Sequence, residues 1–208
     1  MNTTFEKIKS QLGKELPGIN GHKKMAIPDR GLVFPEMKPN PRISAVLILL
    51  FLENDVLHFP LILRPTYDGV HSAQMAFPGG GREEQDKDLV DTALRESQEE
   101  IGFSTDRIKV LGQLSDFYIP PSHSLVSPIV AYTDQRPTYD IDTYEVDRVI
   151  ETNLEVVRNP ENLSHKQITL QNGYKMKAPA FMVDGQTVWG ATAMILSEFL
   201  MVLEEVEI

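Results

Sequence analysis

The stretch that decides the reading runs Gly79-Gly80-Gly81-Arg82-Glu83-Glu84-Gln85-Asp86-Lys87-Asp88-Leu89-Val90-Asp91-Thr92-Ala93-Leu94-Arg95-Glu96-Ser97-Gln98-Glu99-Glu100-Ile101-Gly102-Phe103. Asp88 to Gly102 is predicted to be a helix. Asp88 is the expected N-cap, with Asp91 at the capping-box distance, and Gly102 is the expected C-terminal glycine. At ~100° per residue, Glu96, Glu99 and Glu100 fall within roughly 100° of one another. Val90, Ala93, Leu94, Ser97 and Ile101 occupy an adjacent arc that can face a core. Carboxylates at these spacings repel by a few tenths of a kcal/mol per pair. A hard divalent cation removes that repulsion, since Mg²⁺ takes oxygen ligands. Arg95 borders the stripe and can orient a carboxylate through a bidentate contact. The three glycines allow the backbone to approach a phosphate or metal without a Cβ clash. An acidic run on a helix is ordinarily a solvated face. Here it coincides with the glycine loop, Arg95-Glu96 and the terminal Gly102.

Working outward, Ile43 to Glu53 and Val56 to Arg64 read as strands around Glu53-Asn54-Asp55, a hairpin signal. The first is nearly continuous in apolar residues, which suits a central strand buried on both faces. Residues 65 to 87 read as loop. Strands are expected over Ile108 to Leu114 and Leu125 to Thr133, separated by Pro120-Pro121. Further strands are expected over residues 145 to 152, 164 to 170 and 174 to 183, with Asn172-Gly173 turning the last pair. Ala191 to Val206 is apolar at helical spacing. At the other end, Phe5, Ile8, Leu12 and Leu16 predict an amphipathic helix over residues 4 to 16, closed by Pro17-Gly18. A loop follows to Pro41. The order fits a mixed α/β domain with helices packed on sheets. It is expected to be a single domain over residues 1–208, with 1–40 an N-terminal helix and extension and 43–208 the core.

The bulk numbers exclude several classes. Thirty acidic against 20 basic residues among 208 give a net charge of -10. That field disfavours nucleic-acid backbones but admits small phosphorylated substrates whose charge a metal offsets. The chain has no cysteine, so thiolate metal sites, disulfides and Cys nucleophiles are absent. The first residues show no signal-peptide pattern. The longest strongly apolar run, Ile43 to Leu52, is about half the ~20 residues that a membrane helix needs. A cytoplasmic protein without membrane or nucleic-acid partners is expected.

The carboxylate segment resembles the Nudix box, G-x5-E-x7-R-E-U-x-E-E-x-G-U, where U is bulky and aliphatic. Gly81 matches its first glycine. Arg95-Glu96, Glu99-Glu100, Gly102 and Phe103 match its second half. The first box glutamate falls on Lys87 and the first U on Ser97. Glu83, Glu84, Asp86 or Asp88 is therefore expected to replace that glutamate from a shifted loop. Beyond the box the chain resembles the coenzyme A diphosphatase-like branch. The markers are Arg64, His71 to Gly80, Thr92 to Glu96, Tyr118-Ile119-Pro120-Pro121-Ser122 and Trp189 to Ala193. The upstream coenzyme A motif of that branch is matched only partly, and its second Arg falls on Gly69.

The resemblance implies a Nudix-like α/β/α sandwich with a mixed β-sheet. It implies metal-dependent hydrolysis of a nucleoside diphosphate derivative, with Mg²⁺ or Mn²⁺ held by Glu96, Glu99 and Glu100. Arg95, Glu96 and Glu99 are the catalytic candidates. Arg64, His71, Gln74, Gly79, Gly80 and His123 are the candidates for binding substrate. Coenzyme A (CoA) or a derivative is the expected substrate, giving 4′-phosphopantetheine and adenosine 3′,5′-bisphosphate. ADP-ribose or a dinucleotide is the alternative, and a non-catalytic nucleotide-binding module the other. Glu145, Asp147 and Glu151 offer a later ligand or general base, against a plain solvated edge. Trp189 either stacks on a base or packs in the core. A homodimer, common in the family, is a further expectation.

Overall fold

The computed structural model describes residues 3–27, 36–66, 72–169 and 173–208. His71, Gly69 and Asn172 lie outside the described residues. The longest strand, β1 (Arg42–Glu53), is wholly buried from Leu47 to Phe51, as its apolar run predicts. It turns through Asn54 (φ 51°) and Asp55 (φ 63°) into β2 (Val56–Leu63). Two successive left-handed residues match the twist of the strands they join, and Asn and Asp tolerate that conformation.

The segment 65–87, expected as loop, carries two short strands, β3 (Met75–Ala76) and β4 (Gly79–Gly81). β3 pairs with β2, and β4 pairs antiparallel with β1 through Ser44–Gly81, Ala45–Gly80 and Val46–Gly79. Glycine has little strand propensity of its own, so this pairing is imposed by the tertiary structure. Helix α3 (Leu89–Ile101) follows. Asp88 caps it, its carboxylate accepting from the Val90 and Asp91 amides at 2.9 Å. Gly102 ends it in the left-handed conformation at φ 65°.

Beyond α3 come β5 (Lys109–Gln113), β6 (Phe117–Ile119) and β7 (Ser124–Tyr132). β7 runs parallel to β1 over nine residue pairs, from Arg42–Ser124 to Leu50–Tyr132. β8 (Arg148–Asn153) flanks β2 and starts three residues later than the expected 145, because 139–147 forms a loop against α3. These eight strands form one mixed sheet, with β3-β2-β1-β7-β5 as its main path.

Helix α4 (Leu154–Arg158), capped by Asn153, leads to an antiparallel sheet of β9 (Leu163–Thr169), β10 (Lys175–Val183) and β11 (Gln186–Trp189). β11 was not expected from the sequence, although Asp184-Gly185 before it is a strong hairpin turn. Helix α5 (Gly190–Glu204) closes the described chain.

At the N-terminus, α1 (Thr3–Leu12) stops four residues short of the expected Leu16, since Gly13 ends it before the apolar spacing runs out. The expected loop that follows contains a short helix, α2 (Ile19–Lys23). It is held by tertiary contacts: Ser197 Oγ donates to Gly21 O at 2.9 Å.

The layers follow strand periodicity. Ala45, Leu47 and Leu49 face α3, packing with Ala93 and Ile101. Ile48 and Leu50 face the other way, packing with Phe5 and Ile8 of α1 and Leu196 and Phe199 of α5. The result is an α/β/α sandwich. No described helix is long and apolar enough to cross a membrane.

Candidate active site

Helix α3 lies against β1 and β4, and the glycines of β4 set how closely. A Cβ on Gly80 would overlap the Glu96 carboxylate. On Gly79, at φ 143°, it would come within 2.6 Å of Val46 Cα. Glycine at these two positions lets a strand and a row of carboxylates share one space.

Arg95 is the hub. Its Nε and Nη2 donate to the two oxygens of Asp86 at 2.8 and 3.0 Å. Nη2 also reaches Gly81 O at 3.0 Å and Glu96 Oε1 at 3.1 Å. Nη1 donates to Glu99 Oε2 at 2.9 Å. Asp86 is buried and further accepts from Thr92 Oγ1 and the Glu83 amide, each at 2.9 Å. The Arg95 guanidinium and the Glu83 amide hold the Asp86 carboxyl far below its ordinary value. Asp86 in turn, with Glu96, holds Arg95 protonated.

The three helix carboxylates differ in surroundings. Glu100 is 1% exposed. Its Oε2 accepts from the Gly79 amide at 2.7 Å, and its Oε1 lies 3.4 Å from Arg64 Nη2. Burial pushes its pKa up to about 7, against the opposing pull of Arg64 and the Gly79 amide. Glu96, half-buried, is also raised by burial, with Arg95 opposing. Glu99 is exposed. A fourth carboxylate joins from the 139–147 loop: the charge of Glu145 raises both Glu96 and Glu100. That loop is stitched to the end of α3 by Asp142 N to Glu100 O at 3.0 Å and Asp140 N to Ile101 O at 3.1 Å. Among the described residues no three carboxylates already converge on one metal-sized centre. The donor set nevertheless suits a hard divalent cation: all oxygen, partly buried and short of positive charge.

The NUDIX domain family model matches residues 41–170. The chain belongs to the Nudix family. It is 30% identical over 166 residues to the mitochondrial coenzyme A diphosphatase of Mus musculus, covering 76% of this chain and 77% of the relative. It is 29% identical to the human protein of the same name, over 80% of this chain and 71% of the relative. The peroxisomal coenzyme A diphosphatase of Mus musculus is 30% identical over 60% of this chain and 52% of its own length. Among solved structures, a MutT/nudix family protein from Enterococcus faecalis aligns with TM-score 0.50 at 19% identity, over 90% of this chain and 73% of that one. Its likeness bears on the fold alone.

Within the Nudix box, the structure resolves the departure at Lys87. The Lys87 side chain is exposed and lies 3.8 Å from Asp91, away from Arg95. Asp86, one residue earlier, takes the place beside the box arginine. Of the other acidic candidates, Glu83 stands at the rim, 4.0 Å from Arg95 Nη1, Glu84 is exposed, and Asp88 is spent as helix cap. Ser97, at the aliphatic position of the box, is buried, and its hydroxyl has no hydrogen-bond partner among the described residues.

Of the substrate-binding candidates, Arg64, Gly79 and Gly80 surround the carboxylates. Gln74 immediately precedes β3, and its carbonyl accepts from Arg64 N at 3.1 Å. His71 is outside the described residues. His123 has both ring nitrogens engaged, Nδ1 with Tyr118 Oη at 2.9 Å and Nε2 with Pro39 O at 3.2 Å. Its observed role is to fasten the 118–123 corner to the segment entering β1. Trp189, half-buried, pairs with Ala180 across β10 and β11. Glu151, on β8, is engaged by Arg136 of the loop after β7.

Proposed function

We propose that this Nudix hydrolase cleaves the diphosphate linkage of CoA or a CoA derivative, giving 4′-phosphopantetheine and adenosine 3′,5′-bisphosphate. The observation that carries the reaction is the juxtaposition of Glu96, Glu99 and Glu100 with the Gly79–Gly81 strand, organised by Arg95. The substrate rests on similarity to coenzyme A diphosphatases over three quarters of the chain.

Glu96, Glu99 and Glu100 would hold Mg²⁺ or Mn²⁺. When bound, the ion supplies charge neutralisation at the diphosphate and a lower pKa for a coordinated water. The protein's own contribution is positioning. Arg95 restrains Glu96 and Glu99, and the Gly79 amide and Arg64 restrain Glu100. Glycine at 79 and 80 lets β1 and the Glu96 carboxylate pack directly against this strand. Phosphoryl transfer gains chiefly from such positioning and charge stabilisation. Glu145 is the proton acceptor in this reading: it is exposed, next to the cluster and outside the helix that carries the ligands.

The test is a product assay. The pure protein is incubated with Mg²⁺ or Mn²⁺ and CoA, dephospho-CoA, ADP-ribose, NADH and diadenosine polyphosphates, with products identified by mass spectrometry. Adenosine 3′,5′-bisphosphate from CoA at the highest kcat/KM of the panel is expected. Preferred cleavage of ADP-ribose or a dinucleotide would replace the substrate. Binding without any product would replace the reaction.

A further inference from the structure

The partial coenzyme A motif leaves a chemical gap: its second arginine falls on Gly69. A CoA-like substrate carries a phosphomonoester on the ribose besides the diphosphate, and that group needs a cation. The structure supplies one from elsewhere in the chain. Arg42, the first residue of β1, lays its guanidinium against Gly81: a Cβ there would sit 2.8 Å from Arg42 Cζ, and closer to Nη2 and Nε.

Three observations make Arg42 more than a surface arginine. First, its guanidinium makes no hydrogen bond or ion pair among the described residues, in a chain with 30 acidic side chains. The other arginines around the site are engaged: Arg64 faces Glu100, Arg82 bonds Asp86 O, and Arg95 is saturated. Second, its backbone is fixed. Arg42 N donates to His123 O at 2.8 Å, and Arg42 pairs with Ser124 in the parallel ladder. This places it between the glycine strand and the Tyr118–His123 corner, two separate stretches in which the chain resembles the CoA-type branch. Third, the strand alternates. Gly80 faces Glu96, whereas Gly81, its neighbour, faces Arg42. Successive strand residues point to opposite faces, so the carboxylates and the unpartnered guanidinium lie on the two sides of β4. Among the described strands β4 pairs only with β1. Along its other edge Gly79 N and Gly81 O bond Glu100 and Arg95 of α3, so a substrate that meets both groups lies across this α3-bound edge.

We propose that Arg42 binds the phosphomonoester of the substrate's nucleotide, on the side of β4 opposite the scissile diphosphate. This rests on the diphosphatase reading above. A guanidinium on that face is separated from the carboxylate cluster by the strand itself. It is therefore assigned to a second anionic group. Its planar fork, held flat against a glycine, suits bidentate contact with phosphate oxygens.

The experiment is calorimetric titration of adenosine 3′,5′-bisphosphate and adenosine 5′-monophosphate into wild type and Arg42→Gln, with Mg²⁺ present. The wild type should prefer the bisphosphate. Arg42→Gln should lose roughly tenfold in that preference, the size of one charge-assisted contact. Arg42→Lys should recover part of it. Gly81→Ala, whose methyl displaces the guanidinium while keeping its charge in the chain, should lower it as well. An unchanged ratio in Arg42→Gln, equal weakening of both ligands, or a wild type indifferent to the extra phosphate would each overturn the assignment. These readouts need no turnover. A failed diphosphatase reading shows instead as missing products in the substrate panel.

Discussion

Asp86 and Arg95 meet through two hydrogen bonds, of 2.8 and 3.0 Å, that fix the guanidinium from which Glu96 and Glu99 are also held. The contact joins the loop after β4 to the middle of α3. In the proposed reaction Asp86 would act through Arg95 rather than on the substrate. Asp86→Asn keeps the shape but loses the charge. It should lower kcat roughly 10- to 100-fold, the usual effect of removing a group that orients a ligand, and reduce affinity for Mg²⁺ or Mn²⁺ in a titration of activity against metal. Asp88→Ala, two residues on, removes only a cap and should cost about 1 kcal/mol of stability. Equal kinetic effects from the two would contradict the division.

Removing a carboxylate from the cluster tests the site directly. Glu99→Gln and Glu100→Gln should each lose most turnover, while far-ultraviolet circular dichroism keeps its native form. EDTA should abolish activity, and Mg²⁺ or Mn²⁺ should restore it. Glu145→Gln should lower kcat on the order of 10²- to 10⁴-fold with little change in KM, as expected of a lost general base. A KM effect without a kcat effect would move Glu145 to substrate binding.

The glycines of β4 should separate chemistry from folding. In Gly80→Ala the methyl meets the far end of the Glu96 side chain, which can swing away. The expected result is a folded protein with low kcat. In Gly79→Ala the methyl meets the backbone of β1, and the φ of 143° adds strain of about 1–3 kcal/mol. There the melting temperature should fall before activity can be compared.

Ser97 has a buried hydroxyl without a partner among the described residues. Such a group costs about 1–3 kcal/mol. Ser97→Ala should raise stability by roughly 1 kcal/mol in urea melts, with the Nudix helix unchanged. A loss of stability would mean that the hydroxyl has a partner.

The acid limb of stability should depend on Glu198. Its side chain, wholly buried in α5, accepts from His22 Nε2 at 2.9 Å, Ser115 Oγ at 2.6 Å and Gly18 N at 2.9 Å. Burial alone would raise its pKa. The His22 and Ser115 hydrogen bonds, the His22 charge and the Gly18 amide outweigh it and hold the group below its ordinary value. A depressed carboxyl stabilises the fold above its unfolded pKa of about 4.3, and that contribution fades as pH falls toward the folded value. Glu198→Ala should cost about 3–5 kcal/mol near neutrality. The gap between mutant and wild-type melting temperatures should narrow as the pH drops below 4.

How far the sequence carries the reading depends on the range of the interactions. β1, α3 and both ends of α3 were legible, because apolar continuity, helical spacing, Asp88 and Gly102 are local signals. The grouping of Glu96, Glu99 and Glu100 on that helix was legible for the same reason. Asp86 could be narrowed only to one of four acids, since its choice depends on which oxygen Arg95 reaches across the fold. Strand β4 was hidden because three glycines form a strand only when β1 is beside them, and β3, two residues long, because only its pairing with β2 defines it. Arg42 was missed altogether: nothing near it in the chain points to Gly81, and only the β1–β4 register brings the two together. The strand β11 was missed for a different reason, since Asp184-Gly185 announced its turn.

The parallel ladder between β1 and β7 has a consequence for how the protein acquires its shape. During synthesis β1 and β2 can fold back as a hairpin at once and β4 can join soon after, but β7 can pair along β1 only when Tyr132 has emerged. Everything between, including β4 and the carboxylate helix, sits inside the loop that this late pairing closes. Closure of so long a loop is slow compared with hairpin formation. Until then the edge of β1 that β7 will cover is unpaired, which makes this an interval when the nascent chain is exposed to aggregation.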